Sequence, residues 1–343
     1  MRYLLLLMVS FLIAYAVTPA AKKLAVKLGA IDMPGESRRI HSRPTPRMGG
    51  LAIYIAFTVS ALIFMPLDKK MIGLLLGSSI IAALGIADDM KGLSAATKMA
   101  GQIVAAAVLM GFGFRIEWLT TPMGGMMYLS WLSIPATIFW VVGITNTFNL
   151  IDGLDGLAAG IAAISSAAMF ITALMNGRTL AAMLLLMVAG SALGFLPYNF
   201  NPAKIFMGDT GSLFLGFVLS AISIQGTIKG ATAIAIVIPV LAMGLPIFDT
   251  AIAIVRRAKN GMPIMQPDRG HLHHRLLDMG FTQRQVVVIL YIISAILGMV
   301  AIAVTEINPP WSFILVLAVL LAAAIGTKRM GLLNPVEEKN IHA

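Results

Sequence analysis

The stretch Asn146-Thr147-Phe148-Asn149-Leu150-Ile151-Asp152-Gly153-Leu154-Asp155-Gly156-Leu157 follows one long apolar run and precedes another. That placement makes it the junction between two membrane spans. Two amides and two carboxylates recur in it at three-residue steps, with two glycines between them. On an α-helix each such step falls about 60° short of a full circle, so the four groups would fan over half the cylinder. A glycine-loosened turn could instead bring them to one point. A carboxylate in a membrane segment costs roughly 2.5–3.5 kcal/mol on insertion scales, which makes its default reading functional. A hydrophilic ligand is expected here.

The rest of the chain fits a membrane setting. Its 343 residues are 59% hydrophobic and only 12% charged, with a mean hydropathy of +0.90. A soluble domain carries about 25% charged residues, so the expected class is an all-α polytopic membrane protein. The absence of cysteine excludes disulfides, thiolate metal sites and a Cys nucleophile. The net charge of +10 matches cytoplasmic loops facing anionic headgroups. No basic run with interleaved aromatics fits a nucleic-acid module, so nucleic acid is not an expected partner.

Apolar runs give about eleven transmembrane helices, near 3–21, 48–66, 71–87, 97–114, 131–146, 157–175, 179–197, 211–226, 231–255, 286–305 and 310–326. Residues 1–21 read as a retained first span rather than a cleaved signal. Pro239 and Pro246 are expected to kink the ninth run. Nineteen of the 25 Lys and Arg fall in one set of alternate loops. That side is expected to be cytoplasmic, with the N-terminus outside and the C-terminus inside. Of the fifteen acidic residues, only Asp68, Glu117 and Glu306 fall on the other side. Residues 1–327 are expected to form a single integral membrane domain and 328–343 a short cytoplasmic tail. Gly124-Gly125 between Thr120-Thr121 and Met127-Tyr128 predicts one short outer hairpin.

Further polar clusters lie at inner span ends. Asp88-Asp89 closes the third run; their side chains would point about 100° apart, so one can face a cavity while the other braces a neighbour. An interfacial pair that merely stops the helix is the plainer reading. Lys98 opens the next span and could hold a phosphate as a point charge. Phe206-Met207-Gly208-Asp209-Thr210-Gly211-Ser212 opens the eighth run, where free backbone N–H groups favour an anion. Asp209 there could bring a cation to that anion or serve only as an N-cap. His271-Leu272-His273-His274-Arg275 lies in the longest inner loop. Three histidines invite zinc, but Arg269 and Arg275 would repel it, and the cluster better suits a diphosphate. Surface histidines without a role are the alternative. Asp249, seven residues before Arg256, reads as half of an ion pair.

In these residues the chain resembles the polyprenyl-phosphate N-acetylhexosamine-1-phosphate transferases. Its motifs stand in that family's order, from Pro44-Thr45-Pro46-Arg47-Met48-Gly49-Gly50 through Asp88-Asp89, Asn146–Leu157 and Gly208–Ser212 to His271–His274. The resemblance implies transfer of a sugar 1-phosphate from a UDP-sugar to a polyprenyl phosphate, with release of UMP and dependence on Mg²⁺ (or Mn²⁺). It implies that Asp209 and Asn149 hold the metal, and that Asp88, Asp89, Asp152 and Lys98 form the catalytic set. Asn146, Asp155, Phe206, His271, His273, His274, Arg275 and Arg43 would bind substrate, with Asp155 toward the uracil. The peptidoglycan branch, phospho-N-acetylmuramoyl-pentapeptide transferase, usually shows three consecutive histidines and ten spans. His-Leu-His-His and eleven spans look like the UDP-N-acetylglucosamine branch, acting on undecaprenyl phosphate to prime teichoic acid, O-antigen or related polymers. The implied setting is the plasma (inner) membrane of a prokaryote, with the active site facing the cytoplasm, lipid contacts and a homodimer. A cation-coupled secondary transporter is the rival class, since intramembrane carboxylates also mark ion pathways.

Overall fold

The computed structural model describes residues 1–33, 44–120, 126–227, 236–263 and 270–333. Helix α1 (Arg2–Lys27) leads into a two-stranded ladder, β1 (Ile31–Asp32) with β2 (Thr45–Pro46). Helices α2 (Gly50–Phe64), α3 (Lys69–Lys91) and α4 (Ala95–Gly111) follow. The predicted hairpin is seen as β3 (Trp118–Thr120) paired with β4 (Met126–Tyr128), with the rings of Trp118 and Tyr128 4.9 Å apart; its tip lies outside the described residues. Then come α5 (Ser133–Ile151), α6 (Leu157–Met175), α7 (Thr179–Asn199) and α8 (Gly208–Thr227). The chain closes with α9 (Val237–Ala242), α10 (Gly244–Lys259), α11 (Leu272–Asp278), α12 (Gln283–Glu306) and α13 (Pro309–Arg329).

Seven of these helices are long and apolar enough to cross a membrane. The other four of the eleven apolar runs correspond to α2 and α4, which are shorter, to α8, and to the pair α9–α10. The ninth run is therefore two helices rather than one kinked helix. Pro246 has no N–H to give the Ala242 carbonyl four residues back. That freed carbonyl accepts instead from Ser165 Oγ of α6, at 2.7 Å.

Lipid tails are as apolar as leucine, so packing and interhelical hydrogen bonds must hold such a bundle together. Helix α7 lies along α1 and α6, and α8 lies between α3 and α5. Phe57, Phe148, Phe214 and Phe217 fill the centre and are fully buried. Polar pins cross it at Ser10–Ser60 (2.9 Å), Tyr54–Ser79 (2.8 Å) and Trp140–Ser223 (2.9 Å). Where α3 meets the start of α8, a Cβ on Gly85 would fall 2.4 Å from the Thr210 Cα. That close approach sets the C-terminal end of α3 against the first turn of α8.

Candidate active site

The first turn of α8 is built by Asp89. Its carboxylate accepts from the backbone N–H groups of Asp209 (2.9 Å) and Thr210 (3.1 Å) and from Thr210 Oγ1 (2.6 Å). Arg47 Nε donates to it at 3.2 Å. Gly208 allows this capping. It sits at φ +70°, and a Cβ there would meet Asp89 Oδ1 at 2.5 Å. The segment before α8 is zipped to the segment before α2, with Phe206 N–H donating to Pro46 O and Gly49 N–H to Phe206 O. Asp89 thus spends its oxygens on the backbone that carries Asp209.

Its neighbour points the other way. Asp88 Oδ1 accepts from Leu93 N–H at 2.8 Å and lies 3.5 Å from Lys98 Nζ. The same ammonium is 2.9 Å from Asp209 Oδ2, so Lys98 bridges the two carboxylates. Asn149, on the last turn of α5, donates to Ser212 Oγ at 2.9 Å and lies within hydrogen-bonding reach of Asp209. Two carboxylates, an amide and an ammonium from four different helices therefore meet at the start of α8.

The four groups of the 146–157 stretch do not converge. Asn146 is taken by Gln102 of α4, with Nδ2 to Oε1 at 2.6 Å. Asp152 ends α5 within the electrostatic reach of Asp209, Asp89 and Arg47. Asp155 Oδ2 accepts from Asn201 Nδ2 (3.0 Å) and Ala203 N–H (2.9 Å), fixing the loop before α8. Asn146 and Asn149 are still in α5, where a three-residue step turns them to different neighbours, and Asp152 and Asp155 lie beyond its end at Ile151. Gly156, left-handed at φ +82°, then starts α6, its N–H held by Asn199 Oδ1 at 3.0 Å.

The histidines are not a surface patch. Among the described residues no group of three or more His, Cys, Asp or Glu is arranged to hold a metal. His271 and His273 are buried, and their rings stack nearly parallel at 5.7 Å. His274 lies 4.2 Å beyond His273. Neither ring nitrogen of His273 has a hydrogen-bond partner, and burial, then the charge of His274, lowers its pKa to about 3. It is a neutral imidazole pressed against Gly153, in the acidic loop. Arg275 is half-buried, with two guanidinium nitrogens lacking partners. Phe206 contributes through its backbone as described above. Arg43 lies outside the described residues.

Several site-building residues had no role assigned from sequence: Arg47, Gln102, Thr210 and Ser212 among them. Gln102 carried a legible signal, as an amide one helical turn after Lys98 in an otherwise apolar helix. Arg47, Thr210 and Ser212 stood inside quoted motifs, but their partners come from other helices.

A family model described as glycosyl transferase family 4 matches residues 71–227. That window carries Asp88, Asp89, Lys98, Asn149, Asp152, Asp155 and Asp209. A probable undecaprenyl-phosphate N-acetylglucosaminyl 1-phosphate transferase of Bacillus subtilis is 41% identical over 97% of this chain and 93% of its own length. A decaprenyl-phosphate N-acetylglucosaminephosphotransferase of Mycobacterium tuberculosis is 37% identical over 92% of this chain and 86% of its own. An undecaprenyl-phosphate alpha-N-acetylglucosaminyl 1-phosphate transferase of Escherichia coli is 28% identical over 82% and 78%. The first of these alignments runs nearly end to end, so it takes in the histidine loop along with the cluster at α8. A multi-pass membrane protein with that cluster, matched in this way, belongs to glycosyl transferase family 4.

Proposed function

We propose that the chain transfers N-acetylglucosamine 1-phosphate from UDP-N-acetylglucosamine to undecaprenyl phosphate, releasing UMP. The observation that carries this reading is the Lys98 bridge between Asp88 and Asp209 at a helix N-terminus. Phosphoryl transfer needs positioning and charge neutralisation more than covalent help. A phosphate oxygen of the lipid attacks the β-phosphorus of the nucleotide. The bond from that phosphorus to the bridging oxygen breaks, and the bridging oxygen leaves on UMP. The acceptor is already an anion at neutral pH, so no strong base is required. Lys98 neutralises phosphate charge, and Asp88 fixes the ammonium. His273, with two free ring nitrogens beside the acidic loop, and Arg275 suit the sugar diphosphate. Asp155 and Asp152 flank that loop, toward the nucleotide.

Asp209 and Asn149 fit a divalent cation. Mg²⁺ commonly uses one or two protein oxygens and completes its shell with phosphates and water. The Asn149 amide turns its nitrogen to Ser212; a half-turn of its last dihedral would exchange nitrogen for oxygen. The pair then offers one carboxylate and one amide oxygen. Mg²⁺, or Mn²⁺ in its place, would supply charge neutralisation on the phosphates.

This reading includes eleven membrane crossings, an outside N-terminus and a cytoplasm-facing site in the inner membrane of a prokaryote. A homodimer and a product that primes teichoic acid, O-antigen or a related polymer complete it. The test is purified protein with undecaprenyl phosphate, Mg²⁺ and UDP-N-acetylglucosamine, following UMP release. UDP-N-acetylmuramoyl-pentapeptide serves as the comparison donor. Turnover with only the pentapeptide nucleotide, or with neither, would overturn the assignment.

A further inference from the structure

Helix α10 grips the histidine loop with one face. Asp249 and Arg256 are seven residues apart, about two helical turns, and both are buried. Asp249 Oδ2 lies 2.7 Å from His271 Nδ1, and its Oδ1 accepts the Leu272 N–H at 2.8 Å, the first of α11. Arg256 Nη1 donates to the carbonyls of Gly270 and Leu332, each at 2.9 Å. A Cβ on Gly270 would fall 2.2 Å from Arg256 Cζ, so only glycine lets the guanidinium lie on this backbone. Asp249 thus turns to His271 on the neighbouring segment, not to Arg256 on its own helix.

These contacts lead to the acidic loop. The His271 ring stacks on His273, and a Cβ on Gly153 would meet His273 Nε2 at 2.5 Å. A carboxylate can only accept, so His271 Nδ1 carries a proton and the ring meets any ligand through Nε2. We propose that Asp249 is a positioning residue for the transfer reaction: it fixes the tautomer and plane of His271, and so sets the imidazole stack against Gly153. This rests on the proposed function above and adds to it a residue whose hydrogen bonds go to the histidine loop rather than to the Asp209 cluster.

The test is a double-mutant cycle of Asp249→Asn and His271→Ala in the full-length protein, read as UMP release with each substrate varied. Asp249→Asn keeps the shape of the side chain and an acceptor for Leu272. It should lower kcat/KM for UDP-N-acetylglucosamine about tenfold or more. The loss should fall on the KM for the nucleotide, with the KM for undecaprenyl phosphate unchanged. In the His271→Ala background the same substitution should change the rate less than about twofold, because coupled residues do not add. Equal fold-losses in both backgrounds would overturn the proposal. So would a loss confined to kcat that tracks the folded fraction on size exclusion. If Asp249→Asn does not accumulate, Asp249→Glu in the same cycle decides the question by the same criterion. A wild-type chain that releases no UMP would sink the functional reading itself; active wild type with an additive cycle would sink only the role of Asp249.

Discussion

Replacing Asp89 with asparagine separates positioning from reaction within the Asp88-Asp89 pair. Asp89 has no exposed side-chain surface and accepts three hydrogen bonds from the first turn of α8 and one from Arg47. Asparagine accepts with one oxygen only, so its NH₂ would face a backbone N–H or the guanidinium, donor against donor. A buried partner of a charged hydrogen bond left unmatched costs about 1.5–3 kcal/mol. The Arg47 side chain is 29% exposed, and water screens that arm. The expected cost is therefore about 2–3 kcal/mol, at the helix-capping end of the network. Tryptophan-monitored thermal unfolding in detergent should show a midpoint lowered by about 3–4 °C. UMP release per folded molecule should fall too, since Asp209 rides on the disturbed turn. Asp88→Asn keeps its acceptor for Leu93 and should lose turnover with a much smaller shift in midpoint. An Asp89→Asn protein as stable as wild type yet inactive would refute the reasoning, because the carboxylate would then act in the chemistry.

Asp209→Asn should reduce UMP release by about 10³-fold, as loss of a main electrostatic group does, and should raise the Mg²⁺ concentration needed for half-maximal rate; a near-normal rate would remove Asp209 from the metal pair. Gly153→Ala would place a methyl carbon against His273 Nε2, which is buried and has nowhere to retreat. The KM for the nucleotide should rise about tenfold, on a strain of roughly 1–3 kcal/mol; unchanged kinetics would detach His273 from the sugar nucleotide. His273 also predicts an acid sensitivity. Its folded pKa, about 3, lies below the ordinary 6.5, so the unfolded chain binds the proton first. The contribution is intact above pH 6.5 and is lost as pH falls toward 3, at up to about 1.4 kcal/mol per pH unit. Wild type should thus lose midpoint faster than His273→Phe between pH 6.5 and 4.5, and parallel curves would contradict the buried neutral imidazole.

How far the sequence reached can be seen at particular residues. The membrane class, the runs that became seven long apolar helices and the β3–β4 hairpin were legible because each is a local property. Hydropathy, charge and a glycine pair report on their own segment. The ninth run was only half legible. Pro239 and Pro246 announced a disturbance, but the partner of the freed Ala242 carbonyl, Ser165, comes from α6. The β1–β2 ladder and the zipping of Pro46 to Phe206 were not legible at all, since both join segments whose pairing leaves no periodic mark.

The site divides along the same line. A carboxylate at a membrane boundary is costly wherever it stands, so Asp88, Asp89, Asp152, Asp155 and Asp209 declared themselves without any partner in view. What each one does depends on which donors surround it, and that is tertiary. The 100° between adjacent helical side chains already required Asp88 and Asp89 to face different neighbours. Which of them would cap α8 was decided by the contact of Gly85 with Thr210, which brings the free N–H groups of that helix to Asp89 and leaves Asp88 to Lys98. Asp249 shows the converse. Its spacing to Arg256 put both on one face, but an ion pair within α10 and a shared grip on another segment look the same in sequence. Only the placement of residues 270–272 across that face distinguishes them, and it turns a pairing guess into a role for the histidine loop.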